Sequence, residues 1–272
     1  MVFVKNIIQR TSLFLLRIFR NWGWVGSLER ATVATELIEL LSAIQLSTFK
    51  VELARVGGDN DGGYLVPVAQ MPFNRCFSPG VGLSVEFEKA LAKDGTFCHL
   101  LDASVDDPGL SRESFEFQNK FLGVASNVKE LSMEDWIKPY VRDDEKIILQ
   151  MDIDGAEYEI LASTERSILR IFSVIIIEFH NLHRLMDSSH FPLISSVFKK
   201  MLREFNIVHM HVNNCAKSHR FKQMQIWPVV EFTFLKKEYC TDSEEGLKIP
   251  HPLDQPNILG RKNFVISKEW YR

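Results

Sequence analysis

The stretch KIILQMDIDGAEYE, Lys146 to Glu159, opens on an apolar run, Ile147 to Leu149. It ends on two carboxylates one residue apart, Asp152 and Asp154, followed by Gly155. A continuous apolar run of this kind fills the centre of a parallel sheet, where both faces are covered. The residues behind Gly155, AEYEILAST, read as the first turns of a helix. Ligands of open α/β sheets sit beyond the carboxyl ends of the strands, so acids at that edge predict binding or chemistry. Capping of the next helix explains Asp154 alone; it does not explain two acids and a glycine together.

Working outward, Phe172 to His180 (FSVIIIEFH) is the most strongly β segment of the chain and again ends in polar groups, Glu178 and His180. Upstream, Arg75 to Gly82 (RCFSPGVG) reads as a short strand ending in a glycine turn. Ser84 is placed to cap the helix VEFEKALAKD. Thr96 to Leu101 is the next strand, and it stops at Asp102. An acid about twenty residues beyond such a turn is positioned to accept hydrogen bonds from ribose hydroxyls. A third strand is expected at Lys120 to Ala125, a short helix capped by Ser132, and amphipathic helices at Ser27 to Leu46 and Phe191 to Phe205. Two strands without a helix between them follow, Ile207 to Val212 and Val229 to Leu235, predicted as an antiparallel pair joined by a polar loop. The stretch RVGGDNDGGY, Arg55 to Tyr64, holds four glycines, which predicts a tight loop covering a ligand rather than a surface hairpin.

Of the 272 residues, 46% are hydrophobic and 25% charged, an ordinary globular balance. A formal net charge of −3 supplies no basic field, so nucleic acid is not an expected partner. Cys76, Cys98, Cys215 and Cys240 form no C-x-x-C pair, which predicts reduced thiols in a cytoplasmic setting. Lys5, Arg10, Arg17 and Arg20 alternate with apolar clusters ahead of the first acid, Glu29. Residues 1–28 thus read equally as a basic amphipathic segment making peripheral membrane contact, as a transit-like segment, or as a helix packed on the domain. The expected division is an N-terminal basic helical segment at 1–48, one domain at 49–240 and an extended C-terminal tail at 241–272 packed on it.

The sequence resembles the FkbM-like branch of the class I S-adenosylmethionine methyltransferases. The resemblance rests on MDIDGAEYEIL at 151–161, IIIEFH at 175–180, the GVG turn at 80–82 and the RVGGDNDGGY loop, and it spans roughly residues 50–237. It implies a Rossmann-like, seven-stranded, mostly parallel sheet with a terminal antiparallel strand pair, in a three-layer αβα sandwich. It further implies that Gly80 and Gly82 approach the methionine part of the cofactor, that Asp102 holds its ribose and that Asp152 lies beside the reactive methyl. The implied reaction is methylation of a hydroxyl on a sugar or other small acceptor. An acid usually stands at or before the glycine turn in this class; here Ser78 and Pro79 do, and Asp61 of the preceding loop is the candidate substitute, with Tyr64 a further candidate cofactor contact.

Methyl transfer needs in-line placement and a base. The candidates at strand ends are Asp152, His180 and His211, with Asp154, Glu178, Asn213 and Asn214 beside them. His99, His209 and His251 rank below them. Asp152 and Glu178 would repel each other unless a proton or cation lay between them, and oxygen ligands of this type suit Mg²⁺. Two other readings stay open. One is a nicotinamide-dependent oxidoreductase, against which the missing third glycine of G-x-G-x-x-G counts. The other is a non-catalytic module of the same fold.

Overall fold

The computed structural model describes residues 30–46, 48–82, 84–243 and 248–271. The elements run in order as α1 (Ala34–Ala43), β1 (Leu53–Gly57), β2 (Gly63–Pro67), β3 (Arg75–Pro79), α2 (Glu86–Lys93), β4 (Phe97–Leu101) and β5 (Phe115–Gln118). They continue as β6 (Phe121–Gly123), β7 (Glu130–Ser132), α3 (Met133–Ile137), β8 (Ile147–Met151), α4 (Glu157–Ser163), α5 (Arg166–Leu169) and β9 (Val174–Phe179). The last are α6 (Phe191–Glu204), β10 (Phe205–Val212), β11 (His219–Phe221), β12 (Met224–Ile226) and β13 (Val230–Lys236).

Seven strands form the main sheet in the order β10-β13-β9-β8-β3-β4-β5. From β9 to β5 all neighbours are parallel, and β13 runs antiparallel to both β9 and β10. Of the expected terminal pair only β13 is therefore reversed, wedged between β9 and β10. Every residue of β8 and β9 is buried, as central strands covered on both faces must be.

The two faces carry separate cores. One is packed by α1, α3, α4 and α6 against Phe77, Leu149, Ile175 and Phe179. Phe179 lies 5.2, 4.8 and 5.6 Å from the rings of Tyr158, Phe198 and Phe232. Such pairs contribute about 0.5–1.5 kcal/mol each beyond simple burial. The other face is covered by α2, through Phe87 and Leu91, and by the hairpin β1–β2.

Four expectations are corrected. The third sheet strand is Phe115–Gln118, not Lys120–Ala125: FEFQ is a half-buried edge strand with no apolar run, whereas Phe121–Gly123 pairs with β7 in a separate two-stranded sheet. The glycine-rich segment is the turn of the β1–β2 hairpin: every residue of β2 is buried, while Asp59 and Asp61 in the turn are exposed. Ser84 does not cap α2, which begins after Val85 without a side-chain cap, whereas Ser132 does accept from Asp135 N at 3.2 Å. The loop between β10 and β13 folds back as the β11–β12 hairpin, with Met224, Ile226 and Trp227 buried. Among the described residues no helix is long and apolar enough to cross a membrane. The basic segment at 1–28 lies outside the described residues.

Candidate active site

The strand order reverses between β8 and β3, where chains leave the sheet on opposite sides and open a crevice. Gly80, Asp102, Asp152 and Glu178 stand at the carboxyl ends of four adjacent strands, β3, β4, β8 and β9. Gly80 has φ +81°, and a Cβ there would lie 1.7 Å from the Asp152 carbonyl oxygen. Only glycine lets the two chain ends approach so closely. Gly82 N donates to Asp102 Oδ2 at 2.8 Å and Ser104 N to Oδ1 at 2.7 Å, so the carboxylate braces the turn from the neighbouring strand. Each of its oxygens keeps a second lone pair.

Next to this turn is a cavity of about 210 Å³ whose lining includes Asp61, Tyr64, Gly80, Gly82, Glu88 and Asp152. The hairpin turn forms one wall. Arg55 donates to the carbonyls of Gly58 and Asn60 at 3.0 and 2.7 Å, so it braces the turn from within. Glu88 was not legible as a site residue. It reaches from α2 to the place where the acid was expected on the strand, and its carboxyl meets Ser78 Oγ at 2.5 Å. Ser78 Oγ also lies 2.7 Å from Gln150 Oε1, and Gln150 Nε2 donates to the Tyr64 hydroxyl at 3.0 Å. A hydroxyl carries one hydrogen, so both serine contacts are satisfied when Glu88 is protonated. Burial pushes the Glu88 carboxyl up, which favours that state.

His180 follows β9 and is surrounded by acids. Its Nδ1 lies 2.9 Å from Glu157 Oε1, and its Nε2 lies 3.5 Å from Glu178 Oε1, 3.8 Å from Asp154 Oδ1 and 3.9 Å from Asp152 Oδ1. Glu157 is fully buried in the first turn of α4 and also accepts from Gly155 N at 2.9 Å. Asp154 does not cap this helix; it has φ +54° and a fully exposed side chain. Burial pushes the Asp152 carboxyl up to about 7 against the opposing pull of His180, and burial with the neighbouring Asp152 raises Glu178. Burial lowers His180, but the Glu157 hydrogen bond and the surrounding carboxylates outweigh it and hold the ring above its ordinary value.

His211 does not join this cluster. It pairs across β10 and β13 with Glu231, which in turn faces Glu178. Residues from the C-terminal segment enclose it: Nε2 lies 3.2 Å from Asn257 Oδ1 and Nδ1 3.7 Å from Asp254. Asn257 Nδ2 donates to Glu231 at 2.7 Å and to Asp61 at 3.2 Å, tying that segment to the cavity wall. Asn213 donates to Glu178 at 3.0 Å, whereas Asn214 bonds the backbone of Ile258.

Residues 59–221 match the model of the methyltransferase FkbM domain. No curated protein matches the chain significantly. Among solved structures, the chain is similar to one from a fibrillarin/Nop5p complex, with 14% identity over 70% of this chain and 98% of that one, at a TM-score of 0.38. A candidate RNA methyltransferase from Pyrococcus horikoshii is similar at 14% identity over 74% and 98% of the two chains, with a TM-score of 0.34. The family match spans more than half of the chain, which belongs to the FkbM-domain methyltransferases and is an S-adenosylmethionine-dependent enzyme.

Proposed function

We propose that the enzyme moves the methyl group to a hydroxyl oxygen of a sugar or other small acceptor, at the crevice between β8 and β3. The single observation that carries this reading is the acidic cluster around His180, which shares Asp152 with the glycine-turn cavity. A proton-accepting cluster is thereby set beside the glycine turn.

The residues fit the donor. A Cβ at Gly82 would meet nothing within 4 Å, so the backbone of the turn is open to a bound molecule. Gly80 and Gly82 would lie along the methionine end, and Asp102, with lone pairs to spare, would accept from the ribose hydroxyls. Asp61 and Asp152 put negative charge around a cationic group, with Tyr64 as the wall of the cavity. Bound S-adenosylmethionine supplies an electrophilic methyl whose bond to sulfur breaks, leaving the electron pair on sulfur, as the bond to the acceptor oxygen forms. Asp152 and His180 draw off the hydroxyl proton, a contribution of about 10²- to 10⁴-fold in rate.

The test is transfer of label from methyl-labelled S-adenosylmethionine to a panel of sugars and small alcohols. Labelled methyl ethers, reduced at least a hundredfold by Asp152→Asn at saturating donor, support the reading. Label recovered only on nitrogen or carbon overturns it.

A further inference from the structure

We infer that Asp152, Glu178 and His180 form a binding site for a divalent transition-metal ion of the Mn²⁺ or Zn²⁺ type, which holds the acceptor oxygen. The inference rests on the methyl-transfer reading of the same site and deepens it.

The first argument is spacing. One oxygen each of Asp152 and Glu178 and one nitrogen of His180 lie within 4.8 Å of one another. Nε2 is 3.5 Å from Glu178 Oε1 and 3.9 Å from Asp152 Oδ1, beyond a good hydrogen bond. Bonds of about 2.1 Å to a shared ion set neighbouring ligand atoms about 3.0 Å apart in an octahedron and about 3.4 Å in a tetrahedron. The Glu178 distance matches the tetrahedral spacing, and the Asp152 oxygen would close in by about 0.5 Å on a bound ion.

The second argument is an orphan. Glu178 is 4% exposed and accepts from Asn213 through Oε1, but its Oε2 is buried with no hydrogen-bond partner. A buried carboxyl left this way is neutralised either by a proton or by a cation, and an ion held between Asp152 and His180 would supply the second.

The third is the ring's other nitrogen. A histidine that ligates a metal almost always gives its second N–H to a carboxylate, which fixes the tautomer. Glu157 stands 2.9 Å from Nδ1, fully buried, so an ion that displaces the proton of Nε2 would find that nitrogen directed toward Asp152 and Glu178.

Two carboxylates alone suit Mg²⁺, as expected from sequence. The imidazole moves the preference toward Mn²⁺, Fe²⁺ or Zn²⁺. Three protein ligands leave positions open for an acceptor hydroxyl, whose proton would pass to the second oxygen of Asp152, with His180 then serving as a ligand and not as the base.

The full chain, stripped of metal and free of S-adenosylmethionine, is titrated with Mn²⁺ while the paramagnetic signal of the free ion is followed. One bound ion per chain is expected, with Mg²⁺ competing at least tenfold less well. Glu178→Gln and His180→Gln each weaken binding at least tenfold, and Glu157→Gln by about 10- to 100-fold. Pulsed resonance on the wild-type complex shows imidazole-nitrogen modulation, which needs no variant to fold. Lack of stoichiometric binding, absence of that modulation, or affinity unchanged in folded Glu178→Gln and His180→Gln overturns the inference. Donor binding is titrated separately on the metal-free chain, so failure of the methyl-transfer reading leaves a different mark.

Discussion

The Glu157 carboxylate, shut off from solvent at the start of α4, lies 2.9 Å from His180 Nδ1 at the end of β9. It touches nothing in the cavity, so it is a positioning residue: it decides which way the ring faces and which nitrogen carries the proton. In Glu157→Gln an amide can either donate or accept, so that tautomer is no longer enforced. Turnover is expected to fall about 10- to 100-fold with the KM for S-adenosylmethionine within about twofold. Steady-state kinetics separate the two; a change confined to the donor KM would contradict the assignment.

Gly80 and Gly82 both hold positive φ, but with different surroundings. An alanine at Gly80 would drive its Cβ into the Asp152 backbone, whereas one at Gly82 would meet open space. Gly82→Ala should cost about 1–2 kcal/mol of stability from its left-handed backbone alone, and it should also weaken donor binding. Gly80→Ala should cost clearly more. Urea unfolding measures both, and equal losses would contradict the packing described.

His99 sets an acid limit on stability. It is buried beside Phe77, between Arg75 and Glu116, and burial lowers its pKa to about 4. Between that value and its ordinary value of 6.5 the unfolded chain binds the proton and the folded chain does not. Its contribution to stability is thus present above pH 6.5 and is lost as pH falls toward 4, by up to about 3 kcal/mol. The unfolding free energy of His99→Leu should be less steep in pH over this window, by up to one proton.

Asn257 joins Asp61, Glu231 and His211, all from other segments. Its replacement by alanine leaves buried polar groups unpaired and should cost about 2–3 kcal/mol. Amide hydrogen exchange should then speed up in the segment around Asn257 while the β8 and β9 amides stay protected. Uniform exchange across the chain would contradict a local clamp.

What could be read from the chain follows from where each signal is written. The buried strands Ile147–Met151 and Val174–Phe179 carry their own apolar runs, so they and the acids that end them were legible. The edge strand Phe115–Gln118 was not, because a half-buried edge lacks such a run. Gly80, Asp102 and Asp152 were readable from their order along the chain, since each ends a strand. Glu88 and Glu157 were hidden because a helical acid normally faces water, and only the packing of α2 and α4 on the sheet turns these two inward. His211 misled for the opposite reason. It ends a strand like His180, but residues some 45 positions later, Asp254 and Asn257, fold back and enclose it.

The crevice at β3, β4 and β8 is the proposed seat of the methyl donor. Calorimetric titration of the full chain with S-adenosylmethionine, beside Asp102→Ala and Asp254→Asn, tests this directly. The account predicts one donor per chain, bound at least tenfold more weakly by Asp102→Ala and within about twofold of wild type by Asp254→Asn. Equal affinity in wild type and a folded Asp102→Ala would place the donor elsewhere and contradict it.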